Sequence, residues 1–249
     1  MIDRAAQSET KLPLLAGLDD STRQRFMALS RRKELERGTL LCMHGEPLGK
    51  VFFVLEGAVR TFRQTPDGKE ITVGLALPGD MLGSEYLAEG FSHYQWSAMA
   101  CEPHTVVLGC ERNALRQALR EEGALALNLL AQLAEQTYRA TVDADQLVTF
   151  TAPQRVACFL LRLCALYGFD PQRFNLPFAK ATIASKLGME VETFSRSLAK
   201  LKEYGVEVAG RRISLGEMRA LECYACGHCS TGEDCATLAK LHASCGGKP

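Results

Sequence analysis

Glycines recur at positions 38, 45, 57, 68, 74, 79, 83, 90 and 109, so the first half of the chain turns before any element grows long. Between them stand short runs such as Val51-Phe-Phe-Val-Leu55 and Ile71-Thr-Val-Gly-Leu-Ala-Leu77. Short strands with glycine-marked turns at this spacing predict a β-roll or barrel from Glu34 to Cys110. Pro66-Asp67-Gly68 reads as a hairpin turn, since Pro presets φ, Asp bonds its own backbone and Gly accepts a positive φ. Ahead of the roll, a polar arm leads into a short helix around Leu18 to Leu29, with Asp19, Asp20 and Ser21 as capping oxygens.

After the roll the period changes to that of helix. One long helix is expected from about Arg112 to Val148, with Leu119, Gly123, Ala126, Leu130, Leu133, Thr137, Ala140, Ala144 and Leu147 spaced alternately by four and three. That is a heptad seam, and its small residues admit a close second helix, so a parallel homodimer is expected through it. Pro153 marks the start of the next helix, Gln154 to Tyr167.

Between Phe178 and Tyr204 two short helical patterns flank Leu187-Gly188-Met189. Ile183, Ala184 and Leu187 give the first an apolar face, and Phe194, Leu198 and Leu201 give the second one. A break at a glycine between two such faces predicts a helix-turn-helix. The outward residues of its second helix are Glu192, Ser195, Arg196 and Lys200; Glu can accept from cytosine, Ser can serve either base and Arg can fork onto guanine. Beyond it, Val206 to Leu215 alternates around Gly210 like a small hairpin, a wing with Arg211 and Arg212 at its tip for phosphate. The 249-residue chain carries 29 Lys and Arg against 29 Asp and Glu, so bulk charge argues neither way about nucleic acid. From Lys180 to Arg212 the local balance is +3, with seven basic against four acidic side chains.

No apolar run is long enough for a bilayer, and the N-terminus opens with charge; a cytoplasmic protein without membrane contact is the expectation. In a reducing compartment, clustered thiols mean metal or redox chemistry rather than disulfides. The cluster is Cys223-Tyr-Ala-Cys226-Gly-His-Cys229-Ser-Thr-Gly-Glu-Asp-Cys235, followed by Cys245. Cysteines at such spacing can direct their sulfurs to one centre, an iron–sulfur cluster or zinc, and four ligands are at hand in Cys223, Cys226, Cys229 and Cys235. Cys245 is a substitute and His228 is within reach. Cys42, Cys101, Cys110, Cys158 and Cys164 sit alone in apolar runs and read as buried thiols.

The segments Gly38-Thr-Leu-Leu-Cys-Met-His-Gly-Glu-Pro47 and Val51-Phe-Phe-Val-Leu-Glu-Gly57, the long helix and the winged helix-turn-helix together resemble the CRP/FNR superfamily of bacterial transcription regulators, from about residue 14 to 215. The resemblance implies an α+β architecture: an arm and cyclic-nucleotide-binding-like β-roll over 1–111, a dimerisation helix over 112–148, a winged helix-turn-helix over 149–216 and a cysteine-rich tail over 217–249. It implies a regulator rather than an enzyme, with double-stranded DNA and RNA polymerase as partners. Members that bind cyclic AMP neutralise its phosphate with an arginine, where this chain has Trp96; cyclic AMP is not expected, although Glu85 beside Trp96 leaves a pocket for another small ligand open.

Val191-Glu-Thr-Phe-Ser-Arg196 is similar to the FNR form of recognition helix, which implies that Glu192, Ser195 and Arg196 meet a TTGAT half-site. FNR proteins hold an iron–sulfur cluster with N-terminal cysteines, whereas this chain has none before Cys42. The spacing of Cys226, Cys229 and Cys235 resembles those ligands moved behind the wing. In the FNR of bacilli a C-terminal set is completed by an aspartate of the dimer helix, which would be Asp143 or Asp145 here. The expectation is a sensor of oxygen, nitric oxide or redox state with a [4Fe-4S] cluster. Its alternatives are a small-molecule-gated regulator with structural zinc, a peroxide-responsive thiol pair, a thiol or iron–sulfur oxidoreductase and a module that does not bind DNA.

Overall fold

A computed structural model of the chain describes residues 12–216, 218–226 and 235. Residues 1–11 of the expected polar arm lie outside them, as do His228, Cys229 and Cys245, while its last residues are not polar surface: Leu12, Leu14 and Leu15 are buried in the roll core. The chain forms two compact units, divided between Thr137 and Tyr138.

In the first unit, helix α1 (Asp20–Leu29) opens with Thr22 N donating to Asp19 Oδ1 at 2.9 Å, the expected cap. Eight strands follow: β1 (Ser30–Leu35), β2 (Leu40–Cys42), β3 (Lys50–Glu56), β4 (Val59–Gln64), β5 (Glu70–Ala76), β6 (Met81–Leu82), β7 (Ser97–Ala100) and β8 (Thr105–Glu111). They pair antiparallel in two sheets, β1-β8-β3-β6 and β2-β7-β4-β5. The apolar run of β3 has a two-sided cause. Val51, Phe53 and Leu55 pack with Phe26, Leu115, Leu125 and Leu129 of the helices, while Phe52 and Val54 face the roll interior with Val59, Tyr86, Trp96 and Ala98. Because successive side chains of a strand alternate in direction, a strand covered on both sides must be apolar throughout. The Pro66-Asp67-Gly68 turn closes β4 onto β5, with Gly68 at φ 83° and its N–H on Thr65 O at 2.8 Å. Gly57 admits no other residue, since a Cβ there would lie 2.5 Å from His104 O.

The expected single helix is two, α2 (Arg112–Glu121) and α3 (Gly123–Thr149), parted at Glu122 with φ −119° and ψ 92°. In the roll unit, α3 is fastened by side-chain amides: Asn128 Nδ2 donates to Leu14 O at 3.0 Å, and Gln132 Nε2 donates to Gly79 O at 2.9 Å. The expected heptad seam is divided, with Gly123, Leu130, Thr137, Ala140, Ala144 and Leu147 exposed. Leu119 and Leu133 of the expected seam pack against the roll core instead. A second open stripe on α3 is Leu127, Leu130, Ala134, Thr137, Thr141, Ala144 and Val148, all exposed and spaced alternately by three and four. Leu130, Thr137 and Ala144 belong to both patterns.

The second unit contains α4 (Ala152–Tyr167), a two-residue strand β9 (Phe174–Asn175), α5 (Lys180–Lys186), α6 (Val191–Lys200), β10 (Val206–Ala209), β11 (Arg212–Leu215) and α7 (Met218–Cys226). A capping box starts α4, with Thr151 N on Gln154 Oε1 at 2.9 Å. Ile183, Ala184, Phe194, Leu198 and Leu201 are all buried, so the two short helices share one core as expected. Gly188 turns between them at φ 64°, and a Cβ there would stand 3.1 Å from Leu147 Cδ2. The wing has three strands, in the order β10-β11-β9. Helix α7 lies at the start of the segment expected to be only a metal-binding tail. Its Tyr224 stacks on Tyr204 with ring centroids 4.1 Å apart, and Gln154 Nε2 donates to Tyr224 O at 3.4 Å. Among the described residues no helix is long and apolar enough to cross a membrane.

Candidate nucleic-acid interface and cysteine site

Helix α6 buries Phe194, Ser197 and Leu198 and exposes Glu192, Ser195, Arg196 and Lys200. The two serines divide by direction. Ser197 Oγ donates inward to Thr193 O at 2.7 Å, whereas Ser195 stands on the open face. Arg196 Nη2 reaches Thr193 Oγ1 at 3.4 Å, so the guanidinium is leaned along its own helix without being consumed. The four side chains expected to meet DNA therefore occupy one exposed helical face, with the donor and acceptor types that base edges and phosphates require. The wing arginines differ. Arg211 spends Nε and Nη2 on Leu176 O, at 3.2 and 2.7 Å, and pins the hairpin to its base. Arg212 is exposed and is the wing cation left to face a phosphate.

Within the roll, Trp96 Nε1 donates to Glu85 Oε1 at 2.6 Å. Tyr86 and Tyr94 crowd the indole, with centroids 5.4 and 6.0 Å away, and burial pushes the Tyr86 phenol up to about 12. The two residues expected to border a ligand pocket thus engage each other, the indole buried among aromatic rings and the carboxylate at the exposed rim. A cyclic phosphate placed there would meet the Glu85 carboxylate, a like charge, in place of a neutralising cation.

The tail is divided in its placement. Cys223 is exposed on α7, with Cys226 one helical turn further at the helix end, and Cys235 is buried. Among the described residues no three His, Cys, Asp or Glu side chains come together as a metal site. Of the two aspartates expected as further ligands, Asp143 has both oxygens engaged, Oδ1 by Arg162 Nη1 at 2.6 Å and Oδ2 by Lys186 Nζ at 3.2 Å. Burial raises the carboxyl, but the two cations outweigh it and hold the pKa below its ordinary value. Asp145 is exposed one helical half-turn away, its carbonyl accepting from Thr149 Oγ1 at 2.8 Å.

Sequence reasoning passed over Arg162, Gln146 and Cys158. Arg162 Nη2 touches Gln146 Oε1 at 3.4 Å and Cys158 Sγ at 3.9 Å, and Gln146 Nε2 donates to Cys158 Sγ at 3.2 Å. One guanidinium therefore joins a buried thiol on α4 to the aspartate of α3 and, through it, to the last residue of α5. Arg162 stands four residues after Cys158 on the same helix, a spacing present in the sequence, whereas Gln146 reaches the thiol from α3.

Comparison with known proteins agrees with these features. Residues 32–122 match the cyclic nucleotide-binding domain family and residues 154–224 the Crp-like helix-turn-helix domain family. The transcriptional activator protein anr of Pseudomonas aeruginosa is 31% identical over 195 residues, covering 75% of this chain and 77% of the relative. The fumarate and nitrate reduction regulatory protein of Salmonella typhimurium is 27% identical over 208 residues, covering 80% of each. The solved structure of FixK2 from Bradyrhizobium japonicum superposes with a TM-score of 0.69 at 27% identity, covering 78% of this chain and 96% of that one. With a β-roll, a long helix and a winged helix-turn-helix in this order, the chain belongs to the CRP/FNR family of transcription regulators.

Proposed function

We propose that this regulator binds a twofold-symmetric DNA site as a homodimer, reads FNR-type TTGAT half-sites with Glu192, Ser195 and Arg196, and responds to oxygen, nitric oxide or redox state through a [4Fe-4S] cluster held by its C-terminal cysteines. The DNA reading is carried by the exposed face of α6. The sensor reading is supported by the donor set: Cys223 and Cys226 lie one turn apart on α7, and Cys235 is buried in the same unit. The engagement of Trp96 by Glu85 and Tyr86 favours a signal arriving at the cysteines over one arriving at Glu85 and Trp96.

Purification without air, with iron, sulfide and zinc measured per chain, tests the sensor. Iron and sulfide in equal amounts, visible absorption that bleaches in air and a change in operator affinity on bleaching are expected. Zinc without visible absorption would sink the reading and leave structural zinc in the tail. For the DNA interface, Arg196→Ala is expected to lose about 1–3 kcal/mol, about 5- to 150-fold in affinity, and to relax preference at the guanine it contacts. Unchanged binding in a fluorescence titration against matched and mismatched half-sites would remove Arg196 from the interface.

A further inference from the structure

We propose that Tyr224 is a positioning residue for DNA recognition: stacked on Tyr204, it fixes the C-terminal end of the helix whose open face reads the bases. The contact lies wholly within the winged-helix unit and acts whatever the cysteines hold.

The recognition helix runs on past Lys200. Lys200 and Leu201 keep right-handed helical backbone angles, with φ −64° and −68°, and the chain continues through one tighter turn, Leu201–Tyr204, before Gly205 breaks it at φ 79°. Val191 to Tyr204 is therefore one rod. Phe194, Leu198 and Leu201 hold it down by burial, and Gly188 turns the chain ahead of it. Helix ends fray unless something ties them. Here the tie is between rings: Tyr204 lies against Tyr224 with centroids 4.1 Å apart and planes 28° from parallel.

The platform that carries Tyr224 is itself anchored. Helix α7 packs on α4, with Leu221 and Ala225 fully buried. Tyr224 O accepts from Gln154 Nε2 at 3.4 Å, and Gln154 Oε1 accepts in turn from Thr151 N and Oγ1 at 2.9 and 2.8 Å. The half-buried ring of Tyr224 is thus presented to the rod end by a helix that is packed and hydrogen-bonded in place. Side chains that read bases must be held within roughly half an ångström, so a loosened rod end misaligns Arg196 and Lys200 even while the core below them holds. Tyr224 stands between Cys223 and Cys226 in the chain, and the pair therefore also joins the start of the cysteine segment to the DNA-reading helix.

The probe is the duplex that wild type selects from a randomised pool, so the result does not hang on the half-site sequence. Full-length wild type, Tyr224→Phe, Tyr224→Ala, Tyr204→Ala and the double alanine variant, all purified without air, are compared by fluorescence titration with that duplex. Amide hydrogen exchange over residues 198–204 is followed alongside, with circular dichroism as the folding control. Tyr224→Ala is expected to bind about 2- to 10-fold more weakly, the range of an aromatic pair expressed as affinity, and to exchange faster at the rod end. Tyr224→Phe, which keeps the stack, should match wild type. Tyr204→Ala should show the same loss and the double variant no more, since both remove one contact. A pair that served stability alone would lower the unfolding midpoint and leave affinity untouched. A folded Tyr224→Ala with wild-type affinity would therefore overturn the inference, as would losses that add in the double variant. If the alanine variants fail to fold, Tyr224→Leu, which keeps apolar bulk without the ring, decides by the same affinity measurement. A wild type that selects no sequence would overturn the DNA reading and this inference with it.

Discussion

Replacing Asp143 with alanine is expected to destabilise the winged-helix unit by about 3 kcal/mol, the low end of the cost of orphaning a buried cation, because the Asp143 side chain keeps 30% exposure while Arg162 keeps 17%. The loss is larger than that of a surface pair because Arg162 has no route to water equal to the carboxylate it gives up. Urea unfolding followed by circular dichroism reads it. A change within about 0.5 kcal/mol of wild type, the range of ordinary surface substitutions, would mean that the bridge contributes nothing. The double variant Asp143→Leu with Arg162→Met should recover much of the loss, since replacing both charges with apolar groups removes the unpaired ion. The pH dependence follows from the direction of the Asp143 shift. Its folded pKa lies below its unfolded value, so its contribution is complete at neutral pH and is lost as pH falls from about 4, the unfolded carboxyl value, through the lower folded one. Asp143→Asn should flatten that part of the acid limb and leave the alkaline side unchanged.

Those contacts lie between residues far apart in sequence, and that separates the legible from the illegible here. The roll is legible because each of its turns is local: Gly57 and Gly68 sit at positive φ where the chain reverses, and glycine is the residue that takes such angles without strain. The helix-turn-helix is legible because Phe194, Leu198 and Leu201 keep the helical period after Gly188, and the outward face of α6 follows from the inward one. The wing's third strand is not legible, since Phe174 and Asn175 are too few to show alternation. Neither is the break at Glu122, where the flanking residues include good helix formers and the extended backbone is set by tertiary context. Arg211 reads in sequence as a phosphate contact because its neighbours are a turn and another arginine; its donors close on Leu176, a partner 35 residues away. Of the cysteines, spacing exposes the tail set, while Cys158 gives little signal because Gln146 approaches it only in the folded unit and an arginine four residues on is by itself ordinary on a helix.

The register of α3 is half legible, and the missing half bears on dimerisation. The helix is apolar on more than one side, so its sequence supports two stripes, one through Ala126, Leu130 and Leu133 and the other through Leu127, Leu130 and Ala134. The roll resolves them by covering Leu129 and Leu133 and leaving Leu127 and Leu130 bare, at 67% and 62% exposure, with Val148 at 88%. Exposed leucines at heptad spacing along a 27-residue helix are what a second copy of the same helix would cover. Under twofold symmetry each leucine counts twice, so Leu130→Asp removes two buried side chains at about 1.5–3 kcal/mol each and sets two carboxylates against the seam. The dimer dissociation constant should rise by about two to four decades, and sedimentation equilibrium at micromolar concentration should find monomer. Affinity for an operator with two half-sites should then fall toward that for one, because the recognition helices are no longer tied at a fixed spacing. Leu133→Ala separates the two faces of the helix. It should lower the unfolding free energy of the roll unit by about 2–5 kcal/mol at full burial, less at this half-buried site, and leave the dimer constant unchanged. A Leu130→Asp protein that stays dimeric with wild-type affinity would place the subunit contact elsewhere.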